Sequence, residues 1–205
     1  DEESFCKSMF GMTPVEYLED VGWLNNRTWL AHGIHFSDSE IGRLGRHGVG
    51  VCHCPTSNMV LASGHCRTRE LEQAGAPVGL GVDGSASNDS STLMEGVRHA
   101  LMINRLTYDA TIPHLDALRW ATKGSARCLG REDIGEIAVG KQADLAFYRL
   151  DDLRFSGAGD PLAALVLCGA HRADRVMIGG QWRVVDGSPV GIDVAALRAA
   201  HGAAA

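Results

Sequence analysis

Three residues carry side chains suited to chemistry at neutral pH: His32, His53 and Asp83. Imidazole changes charge near neutrality and ligates metals. A carboxylate binds divalent cations and moves protons. Each of the three stands at or near the end of a β-like run: TWLAHGIHF at 28–36, VGVCHC at 49–54 and VGLGVD at 78–83. In parallel α/β architectures, catalytic groups gather at the carboxyl ends of strands. Period-two alternation puts His32 on the side of Leu30 and Ile34, and Asp83 on the side of Gly79 and Gly81. Glycines leading into a carboxylate mark close approach of a ligand or of another backbone. Plain structural roles compete with this assignment. A histidine at a strand end is commonly a hydrogen-bonded scaffold residue, and Asp before Gly is a turn former. His35, His65, His99, His114, His171 and His201 have no comparable placement and read as surface or core residues.

The six cysteines form no C-x-x-C pair. Cys52-His53-Cys54 is a single short ligand group, whereas a structural zinc takes four ligands, usually as two spaced pairs. Reduced thiols in a cytoplasmic protein are therefore expected.

The elements that must position these residues alternate. Phe5 with Met9 and Cys6 with Phe10 make a helical face that ends at Gly11. Thr13-Pro14-Val15-Glu16 is a capping box with proline at the first helical position. Ser37-Asp38-Ser39-Glu40 opens another helix, through about Arg46. PTSNMVLASG reads as a loop. Helices are predicted at 68–75, 91–106 and 114–129, with the polar loop GSASNDSS before the second of these. Strand–helix alternation predicts a parallel sheet with covering helices. From Ile134 onward, short β-like runs split by Gly and Asp predict a separate antiparallel unit, with a helical, then frayed, end at 195–205.

Five segments together resemble the amidohydrolase superfamily: LAHGIHF (30–36), CHCPTSNMVLASG (52–64), GLGVDGSASND (79–89), ATKGSARCLG (121–130) and IGEIAVGKQADLAFYRL (134–150). More narrowly, they are similar to its cytosine-deaminase and chlorohydrolase-related branch. Residues 2–36 and 81–106 look most like members that deaminate 8-oxoguanine. The resemblance implies an α/β fold. Residues 1–130 would be the C-terminal part of a (β/α)8 TIM barrel, with Leu30–Phe36, Val49–Cys54 and Val78–Asp83 as strands six to eight. Residues 131–205 would supply part of a small β-sandwich and the tail. It makes Asp83 the metal-ligating and catalytic carboxylate, with His32 catalytic beside the metal. It places His53, Ser87 and Asn88 at the substrate.

The implied cofactor is zinc or another divalent transition metal, which lowers the pKa of a bound water for attack on an amidine-like ring carbon. The implied substrate is a small purine-like base, 8-oxoguanine giving urate and ammonia. A guanine-type deaminase, a triazine-type chlorohydrolase or a non-catalytic half-barrel are the alternatives. A homo-oligomer is expected of the full-length enzyme. Two departures stand out. The family's His-x-His pair occurs nowhere in the 205 residues, and no His-x-x-Glu precedes the first strand. Glu2 and Glu3 are not assigned that glutamate's role. The resemblance then implies a C-terminal portion of a longer enzyme, inactive alone, with a short inactive protein as the competing account.

Composition agrees with a globular protein. Hydrophobic residues make up 45% of the chain, enough for a sizeable core, and the net charge of -6 gives no basic footprint for nucleic acid. No apolar run approaches the ~20 residues of a membrane span, and no signal-peptide pattern is present.

Overall fold

The protein is described by a computed structural model covering residues 2–170 and 172–204, so His171 lies outside the described residues. The amino-terminal helix α1 (Glu2–Phe10) buries none of its residues. Helix α2 (Pro14–Asp20) begins at the expected capping box: the Thr13 hydroxyl accepts from the Glu16 N–H, and the Glu16 carboxylate accepts from the Thr13 N–H. The same reciprocal pair, Ser37 with Glu40, starts α3 (Asp38–His47), which Gly48 ends in the left-handed conformation at φ 65°.

Strands β1 (Trp29–Ala31), β2 (Gly50–His53) and β3 (Val78–Leu80) pair in parallel in that order. Leu30 stands opposite Val51, and Val51 opposite Val78. This is the α/β arrangement expected from strand–helix alternation. Val49, Val51, Val78 and Leu80 are buried with Ile41 and Leu44 of α3, Leu71 of α5 (Thr68–Gln73), and Val97, Ala100 and Leu101 of α6 (Leu93–Thr107). Each fully buried Val or Leu contributes roughly 1.5–3 kcal/mol.

Residues 55–60, expected as loop, form a short helix, α4 (Pro55–Val60). Pro55 sits in the first turn, where its fixed φ suits a helix and its missing N–H costs nothing. Residues 114–128 form one helical run: α7 (His114–Arg119), a π turn at Trp120–Gly124 and α8 (Ser125–Cys128). The run lies so close to the sheet that a Cβ at Gly124 would stand 2.1 Å from the Val78 carbonyl oxygen. Ser125 Oγ meets both backbone groups of Leu80, accepting from its N–H at 3.1 Å.

Beyond Ile134, β4 (Leu145–Phe147), β5 (Arg175–Ile178), β6 (Gln181–Val185) and β7 (Ser188–Pro189) form an antiparallel sheet. The connection between β4 and β5 contains α9 (Pro161–Leu167), capped by Asp160, whose Val166 is buried in the core of the first sheet. The described residues end in α10 (Val194–Ala204). Among the described residues no helix is long and apolar enough to cross a membrane.

Candidate active site

The chain leaves β1 and β3 by the same backbone device. Strand pairing ends at Ala31 and Leu80, so strand alternation does not set where His32 and Asp83 point, contrary to the expectation from the sequence. Both residues instead adopt positive φ, 67° for His32 and 65° for Asp83. The left-handed region costs a non-glycine residue about 1–2 kcal/mol, least for Asp, Asn and His. Gly33 follows at φ 64°, where a Cβ would lie 2.3 Å from Val51 Cγ1. The turn after β1 is thus pressed onto β2, and the His32 N–H donates to the Cys52 carbonyl at 2.8 Å.

These turns bring His32 Nε2 to 3.6 Å from Asp83 Oδ2, although β2 runs between their strands. Both side chains are about one-third exposed. Ser57 of α4 donates its hydroxyl to Asp83 Oδ2 at 2.6 Å and also meets Ser87 Oγ at 2.8 Å. Ser87 Oγ lies 3.3 Å from the same carboxylate oxygen, and the Gly84 N–H donates to Oδ1 at 2.8 Å. The Ser57 hydroxyl, followed by the Gly84 N–H, holds the Asp83 carboxyl below the usual carboxylate range, so it is ionised at neutral pH. The neighbouring residue Asn58 places Nδ2 at 3.0 Å from His32 Nδ1. Ser57 and Asn58 are 0% and 2% exposed.

Of the residues singled out from sequence, His32, Asp83 and Ser87 come together. His53 is 1% exposed and shares the strand face of Val51, which points into the helical layer. Neither ring nitrogen has a partner, and burial pushes its pKa down to about 3, with His65 and His32 adding to the effect. It is therefore a neutral imidazole. The Asn88 side chain is committed to its own loop: Nδ2 donates to the Val82 carbonyl at 2.7 Å, and Oδ1 accepts from Ser90. Asn88 shapes the loop that carries Ser87. Glu3, on exposed α1, pairs with Lys7. A cavity of about 220 Å³ lined by Thr68, Asn104, Ile112 and Trp120 shares no lining residue with this cluster.

Sequence reasoning passed over Ser57 and Asn58, because 55–64 was expected to be a loop. Pro55 directly after a strand was the available signal for a helix start.

Asp83 has the chemistry of a divalent-metal ligand: ionised, partly solvated and turned toward an imidazole. Two donors fall short of the usual three protein ligands of catalytic zinc. Among the described residues no group of three or more metal-ligating side chains comes together. These residues fit one share of a metal centre rather than a whole one.

A parallel sheet with a histidine–carboxylate pair just beyond its strand ends marks the chain as an α/β protein. The sequence profile of the amidohydrolase family matches residues 2–183, and the chain belongs to that family. It is 65% identical to 8-oxoguanine deaminase of Pseudomonas aeruginosa, over all of this chain and 46% of that protein. It is 34% identical to an isoxanthopterin deaminase from an unknown prokaryotic organism, over 93% of this chain and 43% of the relative. Among solved structures, a zinc complex of atrazine chlorohydrolase from Arthrobacter aurescens superposes with a TM-score of 0.92 at 34% identity, covering 98% of this chain and 46% of the other. A zinc-bound adenosine deaminase from Xanthomonas campestris gives 0.92 at 34%, covering 98% and 47%. The chain thus spans under half the length of the relatives it matches.

Proposed function

We propose that the chain is the His32- and Asp83-bearing portion of a hydrolytic deaminase acting on a purine-type base, 8-oxoguanine first among candidates. The observation that carries this is the approach of His32 Nε2 to Asp83 Oδ2 at the ends of two different parallel strands. The 65% identity to an 8-oxoguanine deaminase supports the choice of base. On this reading residues 1–130 are strands six to eight of a (β/α)8 barrel with their helices, and residues 131–205 are a β-sandwich portion and tail. The free cysteines suit the cytoplasm.

Water adds to the ring carbon that bears the exocyclic amine, the C–N bond breaks, and the amine leaves as ammonia with the proton that water gives up. Zinc, or another divalent transition metal held in part by Asp83, supplies Lewis acidity and a lowered pKa for water. Asp83 is ionised and can receive a proton from the attacking water. His32 orients that water from the side facing Asp83. Ser57 holds the carboxylate in place, and Ser87 presents its hydroxyl at the rim. Asn88 fixes the rim loop.

The test is ammonia release from 8-oxoguanine, guanine and cytosine, with chloride release from a chlorotriazine alongside, by the protein as its gene encodes it. Turnover of 8-oxoguanine to urate is expected. Chloride release without ammonia from any base moves the assignment to a triazine-type hydrolase.

A further inference from the structure

Asn58 Nδ2 stands 3.0 Å from His32 Nδ1 and 3.2 Å from Ser63 Oγ. The orientation of the amide follows from its neighbours. The Ser63 hydroxyl directs its own proton to the Asn58 backbone carbonyl at 3.3 Å, so its oxygen offers a lone pair and takes an N–H. One amide hydrogen therefore goes to Ser63 and the other to His32 Nδ1. The reversed amide would leave both N–H groups unpartnered in a residue that is 2% exposed, whereas the orientation seen leaves one acceptor, Oδ1, without a partner. A neutral imidazole has one N–H and one lone pair. With Nδ1 accepting, the proton resides on Nε2, the nitrogen that faces Asp83.

We propose that Asn58 is a positioning residue that holds His32 in the Nε2–H tautomer, so that His32 presents a proton rather than a lone pair to the space beside Asp83. The catalytic consequence rests on the deaminase reading above. A nitrogen that carries a proton cannot ligate a metal, so His32 works as a hydrogen-bond donor to an oxygen, that of the attacking water or of the forming carbonyl. Asn58 touches neither substrate nor reacting atoms. It acts only through the imidazole.

The experiment is 15N NMR of histidine-labelled protein, as its gene encodes it, at about pH 8.5, where ordinary imidazoles are neutral. The His32 signals are assigned by their loss in His32→Gln. The expected result is a protonated Nε2 and a bare Nδ1. Asn58→Asp, nearly the same shape, replaces the donor by an acceptor. It should reverse the tautomer and lower kcat about 10–100-fold with little change in KM. A bare Nε2 in the unaltered protein overturns the proposal, whatever becomes of Asn58→Asp. An Asn58→Asp protein that keeps the Nε2–H tautomer also overturns it, even if kcat falls. Absence of ammonia release from every base sinks the deaminase reading alone, because the tautomer is read without turnover.

Discussion

Ser57 donates its hydroxyl to Asp83 Oδ2 at 2.6 Å across 26 positions of sequence. The bond joins a short helix that follows β2 to a turn that follows β3, and so sets how the candidate metal-ligating carboxylate is presented. Removing it in Ser57→Ala should leave Asp83 bonded to Gly84 and Ser87 but free to swing. Zinc affinity of the protein as its gene encodes it should fall about 10–100-fold, the usual cost of losing a group that orients a ligand. Zinc titration with a competing chelator checks this, and unchanged affinity would show that Ser57 only fills space.

His53 makes stability pH-dependent. Its folded pKa, about 3, lies below the ordinary value of 6.5. The unfolded chain therefore binds the extra proton between those values, and stability falls as pH drops from about 6.5 toward 3. At pH 5 the cost is on the order of 2 kcal/mol. His53→Leu should flatten the slope of unfolding free energy against pH in that window, measured by urea titration with chelator present. An unchanged slope would mean that His53 gains a partner that lets it charge.

Gly33 is the hinge of the His32 turn. An alanine there would combine a φ of 64° with a Cβ 2.3 Å from Val51 Cγ1. Val51 is fully buried and has no room to retreat. Gly33→Ala should destabilise by about 2 kcal/mol or more and displace His32. Urea unfolding gives the first effect, and loss of turnover beyond the unfolded fraction gives the second.

Much of the fold was legible because its signals are local. Thr13 with Glu16, and Ser37 with Glu40, are capping boxes readable from four residues. The β-like runs at 49–54 and 78–83 are short, apolar and bounded by glycine or proline. Asp83 stood out because it ends such a run, and His32 because it lies in the run at 28–36. Their geometry did not follow from pattern, since a left-handed residue after a strand is set by the turn that follows, which at His32 presses Gly33 onto Val51. Ser57 and Asn58 were hidden for a related reason. A six-residue helix has too few positions to show a period, and their partners lie 26 positions away. Helix α9 went unassigned, although Asp160 followed by Pro161 is a readable helix start.

Asp83 and His32 should separate in a metal analysis. On the proposed reading Asp83→Ala removes a metal ligand, so both turnover and most bound zinc should be lost. On the same reading His32→Ala removes a donor beside the metal, so turnover should be lost while much of the zinc stays. Equal zinc loss in both variants would make His32 a direct ligand and would contradict the role assigned to Asn58.

Residues 1–205 expressed alone should bind zinc weakly and release no ammonia. The physical reason is the donor count: one carboxylate and one imidazole meet at the strand ends, where catalytic zinc takes three protein ligands. Solubility should be poor as well. In the described residues β1 pairs with β2 alone, leaving its other edge open beside Trp29, which is 46% exposed. Trp23, Met9 and Phe5 add exposed apolar surface on the same part of the chain, at 65%, 62% and 58%. An open strand edge with apolar neighbours pairs readily with other chains. Light scattering, zinc titration and an ammonia assay on the purified chain decide the matter. A soluble monomer with micromolar zinc affinity and turnover would show that these residues hold a complete catalytic centre, built from groups other than the pair described.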